Sequence, residues 1–177
     1  MNTGTKKLLV SALIQSHYDY GCSVWYPALT KNTKNKLQTA QNKVIRNILN
    51  LHSRSHIGAS EFTMVNWLPV NLRVSQIMIN HIFRILNGSS PGYLKDGIIR
   101  SDEVHSHSTR SGSMALFKQH RGTHGQKSFV HNAVTMWNSL PSSVQCLQCK
   151  DIFKKEVKSH FLKKLKRSEE CIYKYDF

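Results

Sequence analysis

The order of apolar and polar residues along this chain is mostly helical. From Thr30, the stretch TKNTKNKLQTAQNKVIRNILNL sets Leu37, Ala40, Val44, Ile48 and Leu51 at steps of three and four. That spacing predicts one apolar helix face, with Lys36, Lys43 and Arg46 on the other side. A second helix is predicted over Leu72 to Leu86, where Ile77, Met78, Ile82, Phe83, Ile85 and Leu86 leave little polar surface. It should lie at the centre of the core, with Asn87-Gly88 as its stop. In SFVHNAVTMWNSLP, the residues Phe129, Ala133, Met136, Trp137 and Leu140 share a side and Pro141 closes the element. A last helix is predicted from Asp151 to about Arg167, with Ile152, Phe153, Val157, Phe161 and Leu165 as its stripe. The first residues, MNTGTKKLLVSALIQS, also read as a helix, because their apolar run stops at Gln15 and His17, too soon for a signal peptide.

The helical pattern fails between residues 100 and 126, where Ser, His, Gly, Thr and Arg dominate around the island Met114 to Phe117. A long polar loop is expected there, with a short hairpin as the alternative. The fold class expected is therefore all-α: an irregular helical bundle forming one domain over residues 1–177, with residues 168–177 as a disordered tail.

Composition sharpens this picture. Lys plus Arg number 25 against 10 Asp plus Glu, a formal charge of +15, while 40% of the 177 residues are hydrophobic. That is too apolar for a disordered basic tail, and such a potential attracts phosphate-rich partners. The strongest apolar run, Ile77 to Leu86, is interrupted by Asn80, His81 and Arg84. It falls short of the roughly 20 residues that cross a bilayer, so no membrane partner is expected. Four cysteines are too few for a disulfide scaffold, which points to an intracellular protein. The KKLKR run at Lys163 to Arg167 makes the nucleus a plausible destination.

Catalytic chemistry finds little support. Two-metal phosphoryl transfer needs at least two carboxylates holding a pair of ions about 4 Å apart, yet the acidic residues here are scattered or sit in polar segments. No GxxxxGK[ST], GxGxxG or GxSxG pattern occurs. Cys146-x-x-Cys149 with His160 and Cys171 has the look of a zinc set, but eleven helical residues from Cys149 to His160 span roughly 16 Å. No catalytic residue, metal ligand or cofactor is therefore assigned. Trp25, Trp67 and Trp137 have apolar neighbours and are expected in the core rather than stacked on bases. His81 is expected to be a core or boundary histidine rather than a ligand.

Seven phrases in order carry a resemblance: ALIQSHYDYGCSVWYPAL, LQTAQNKVIRNIL, WLPVNLRVSQ, ILNGSSPGYL, TRS, SFVHNAVTMWNSLP and FKKEVKSHFLKKL. Together, from about residue 8 to 166, they resemble the C-terminal region of reverse transcriptases of non-LTR, LINE-type (jockey-like) retrotransposons, the thumb and its helical extension. The resemblance implies a helical layer gripping RNA or DNA through backbone phosphates. It also implies the fingers and palm of the parent polymerase as a partner. The family's metal-binding [FY]ADD turn is absent, so the expectation is a truncated region that is not itself an enzyme. Asp19, in HYDYG, belongs to the family's junction motif and takes no metal. The candidate phosphate contacts are Lys36, Lys43 and Arg46 on one helix and Lys154, Lys155, Lys158, Lys163 and Lys164 on another. Two alternatives stand beside this reading: part of an active RNA-directed DNA polymerase encoded upstream, and a helical protein-interaction module.

Overall fold

The computed structural model describes residues 2–100, 115–117 and 123–173. The fold is all-α. In chain order the helices are α1 (Thr3–Val10), α2 (Ser16–Asp19), α3 (Cys22–Trp25), α4 (Lys31–Leu49), α5 (Ala59–Met64), α6 (Val70–Leu86), α7 (Thr123–Gln126), α8 (Phe129–Asn138), α9 (Ser142–Gln145) and α10 (Lys150–Tyr173). A π-helical turn at Ser11–Gln15 joins α1 to α2, so the predicted N-terminal helix forms with one wide turn inside it. Two three-residue strands, β1 (Ile98–Arg100) and β2 (Ala115–Phe117), pair antiparallel with Ile99 opposite Leu116. They supply the pairing that the hairpin alternative anticipated. Most of the polar stretch between them lies outside the described residues.

The chain divides into two compact units. One is built from the chain up to Cys22, from Leu29–Val74 and from Lys155 onward; the other comprises Ser23–Ala28 and Ser75–Lys154. Length alone could not separate them, because each gathers segments far apart in sequence.

In the first unit, Ile45, Ile48, Ile57, Phe62 and Val65 form a buried cluster, with Val10, Val44, Leu49, Trp67 and Leu165 packed against it. This rotates α4 from its predicted facing. The fully buried line is Gln41, Ile45 and Ile48, while Leu37 and Ala40 are only half-buried and Leu51, beyond the cap, is exposed. The cause is polar. Gln41 Nε2 donates to Leu68 O at 3.0 Å, and Gln38 Oε1 accepts from Val70 N–H at 3.0 Å. Val70 N–H is one of the first-turn donors that α6 leaves unpaired, so the two amides dock α4 against the start of α6.

In the second unit, the Phe83 ring stacks on Phe153 with centroids 4.1 Å apart, and Phe153 stacks on Trp137 at 5.8 Å. Met78, Ile79, Ile82, Ala133, Val134 and Leu140 are buried as well. The α6 core role read from sequence holds, but the helix starts two residues earlier, at Val70, directly after Pro69. In α10, Phe153, Val157 and Phe161 are buried as expected, whereas Ile152 is about half exposed (51%). Ile152 sits roughly 100° from Phe153 around the helix, outside the narrow stripe that steps of four produce. The helix itself runs on to Tyr173, into the region expected to be a tail. Residues 174–177 lie outside the described residues.

Candidate nucleic-acid interface

The outward face of α4 is a basic and amide surface. None of its 19 residues is acidic. Thr30 caps the N-terminus, its side chain accepting from Thr33 N–H. Asn32, Asn35, Lys36, Thr39, Ala40 and Lys43 line one shallow depression along this face. Lys36 and Lys43 are exposed and lie two helical turns apart, about 10 Å along the axis. The small Ala40 leaves space between them, and the surrounding amides and hydroxyl can both donate and accept hydrogen bonds. Such a surface suits a phosphate backbone.

Arg46 is placed differently. It is half-buried, and its Nε donates to Ser55 O at 2.7 Å, which ties down the loop after α4. Leu165 of α10 packs against the cluster containing Ile45 and Ile48, on the side of α4 away from Lys36 and Lys43. The two predicted lysine groups therefore do not meet at one helix seam.

On α10, Lys154, Lys155, Lys163 and Lys164 are exposed. At 100° per residue they are spread around much of the helix rather than gathered on one face. Lys158 is half-buried, and its Nζ donates to Asn66 O at 2.8 Å. Burial first, then the charges of Arg73 and Lys7, push this ammonium below the ordinary lysine range. Its neighbour Arg73 forms a two-pronged ion pair with Asp19: Nη2 to Oδ2 at 2.7 Å and Nε to Oδ1 at 3.0 Å. Gln15 Nε2 also donates to Asp19 Oδ1, at 3.1 Å. Asp19 thus serves as an arginine partner. Lys7 and Arg73 were missed by sequence reasoning. Lys7 is visible only as half of a basic pair before an apolar run, and nothing near Arg73 in sequence marks it.

Two of the described histidines, His81 and His160, are partly buried. His81 meets Phe129 edge-on at 6.1 Å, and burial, followed by the charge of Arg84, lowers its pKa. His160 is lowered by burial first and then by Lys164, Arg167 and Lys163. Both therefore favour the neutral imidazole. Cys146 and Cys149 are exposed thiols. The α10 helix is unbroken from Lys150 through His160, so the break needed to bring His160 back to Cys149 does not occur. Among the described residues no three His, Cys, Asp or Glu side chains gather as metal ligands. Trp137 is buried, and Trp25 and Trp67 are half-buried, consistent with packing roles. No helix among the described residues is long and apolar enough to cross a membrane. Comparison of the chain with family models, with curated proteins and with solved structures gives no match.

Proposed function

We propose that this chain is a basic helical RNA- or DNA-binding region, akin to the thumb and C-terminal extension of a LINE-type reverse transcriptase, that holds a polynucleotide for chemistry housed in another polypeptide or domain. The observation that carries this reading is the outward face of α4: exposed Lys36 and Lys43 beside neutral amides and a hydroxyl, with no acidic residue anywhere on the helix. On α10, exposed Lys155, Lys163 and Lys164 add positive charge without gathering on one face. Arg46 and Lys158 contribute less, because each already gives a hydrogen bond to a backbone carbonyl within the fold. Contacts of this kind read the backbone and not the bases, so affinity should vary little with sequence. Exposed Lys163, Lys164, Lys166 and Arg167 also suit a nuclear-import receptor.

A second reading is favoured by one observation. Leu8, Leu9 and Leu13 of the N-terminal helical stretch are exposed, as an apolar contact with the parent polymerase's palm and fingers, or with another protein, would require.

Binding of a 20-base-pair duplex measured by fluorescence anisotropy between 50 and 200 mM KCl separates the two. Each neutralised phosphate contributes about −0.9 to the log–log salt slope on duplex DNA. Lys36→Gln with Lys43→Gln should therefore flatten the slope by about 1.8 and weaken all sequences alike. A wild-type affinity indifferent to salt would sink the nucleic-acid reading and leave the protein-interaction module.

A further inference from the structure

Cys22, Cys146 and Cys149 are free thiols in opposite environments. Cys22 is 1% exposed, the usual state of this small apolar side chain. Cys146 and Cys149 are both exposed, three positions apart, in the link between α9 and α10. That link is held at both ends. Cys146 N–H donates to Ser142 O at 3.0 Å, closing α9, and Cys149 O accepts from Phe153 N–H at 2.9 Å, opening α10. Val144 and Phe153 are buried on either side of it, and Gln145 Nε2 donates to Trp137 O at 2.8 Å, tying α9 to α8. Only Leu147 and Gln148 separate the two thiols.

A pair of this spacing suits one soft ion. Three peptide links put the two Cα atoms at most about 10 Å apart, a gap that two side chains span when their sulfurs share an ion about 2.3 Å from each. Zinc in a structural thiolate site takes four ligands. This pair supplies two. Among the described residues no third His, Cys, Asp or Glu side chain joins them, and Cys171 is about six turns farther along α10. Half a site on the surface is completed by an identical half, because a two-fold axis through the ion brings in the same two cysteines from a second copy. Charge favours that occupant as well. Two chains at +15 repel each other, whereas four thiolates on one divalent ion leave a net charge of about −2. That charge would sit at the N-termini of two α10 helices, with exposed Lys150 and Lys154 in the first turns of each.

We propose that Cys146 and Cys149 form half of a zinc site, and that one ion shared with the same pair in a second copy links two chains. One proton passes to solvent for each sulfur that binds, and no oxidant is needed. The site lies within the second unit and does not depend on the reading of the α4 face.

The test is titration of the full chain with Co2+, whose bonds to thiolates give a charge-transfer absorption band, followed by Zn2+. Tris(carboxyethyl)phosphine, a reductant without a thiol, keeps the cysteines reduced. The band should saturate at one ion per two chains and fade as Zn2+ displaces Co2+. The mass in analytical ultracentrifugation should double in step with it, and EDTA should reverse the doubling. Cys146→Ser and Cys149→Ser alter exposed positions only, so helicity by circular dichroism should be unchanged while the band and the dimer are lost. Cys171→Ser, and Lys36→Gln with Lys43→Gln, should keep both. The proposal is overturned if no band appears, or if the band saturates at one ion per chain while the mass stays that of a monomer. It is also overturned if either Cys146→Ser or Cys149→Ser retains the band, or if Cys171→Ser loses it. Salt-dependent duplex binding through α4 could still hold in each of these cases, so the two ideas fail separately.

Discussion

At the scale of single residues, several side chains that read as solvated surface are spent on backbone carbonyls. Lys6 Nζ donates to Asn47 O at 3.3 Å and to Asn50 Oδ1, at the C-terminal end of α4. Arg46 and Lys158 do the same at Ser55 and Asn66. A cation near a helix C-terminus is favoured both by the unpaired carbonyls and by the helix dipole. The amide of Gln41 carries the clearest energetic consequence. It is 2% exposed and satisfies Leu68 O, whose successor Pro69 has no N–H to offer. Gln41→Leu should therefore destabilise the fold by about 1–3 kcal/mol despite adding apolar surface, because a buried carbonyl loses its donor. Urea unfolding of the variant measures this, and an unchanged midpoint would show that water reaches Leu68 O. Spacing rules treat Gln38 and Gln41 as polar interruptions. Their partners lie about thirty residues downstream, where periodicity carries no information.

At the scale of elements, α4, α5 and α6 end in the same way. Asn50, Asn66 and Gly88 each adopt a left-handed conformation, with φ of 54°, 54° and 68°. Behind each, the paired backbone bonds of a Schellman motif close the helix: Leu51 N–H to Arg46 O, Trp67 N–H to Phe62 O, and Ser89 N–H to Arg84 O. The Gly88 stop was legible from Asn87-Gly88, but the two asparagine stops were not, since Asn is common inside polar helices. A Cβ at Gly88 would meet nothing within 4 Å, so substitution there costs conformation and not space. Gly88→Ala should lower stability by about 1–2 kcal/mol, and Gly88→Asn by less, as judged by chemical denaturation. Equal losses would indicate a steric cause. The first helix defies the usual rule in a different way. Lys6 and Lys7 are half-buried while Leu8 is 72% exposed and Leu13 63% exposed. Capping of α4 by Lys6 gives a physical reason for the basic side to face inward.

At the scale of the whole molecule, charge dominates. A chain at +15 repels itself when compact. Raising sodium chloride from about 20 to 500 mM should therefore increase the Tm by several degrees as the Debye length shrinks from roughly 20 Å to a few ångström. A falling Tm over that range would mean that attractive pairs such as Asp19–Arg73 outweigh the repulsion. Mutual repulsion and nucleic-acid affinity share one origin, so conditions that stabilise the free chain should weaken its grip on a duplex.

The amino-acid order by itself determined the helical class, the core role of α6, the Phe153–Val157–Phe161 stripe and the overall positive potential. These follow from local periodicity and composition, which act over a few residues. Only tertiary structure decided the rotation of α4, the division into two units, which lysines remain exposed, and the pairing of Asp19 with Arg73. Those features depend on contacts between segments tens of residues apart. Their geometry is set by packing and by buried hydrogen bonds, and no repeat along the chain records it.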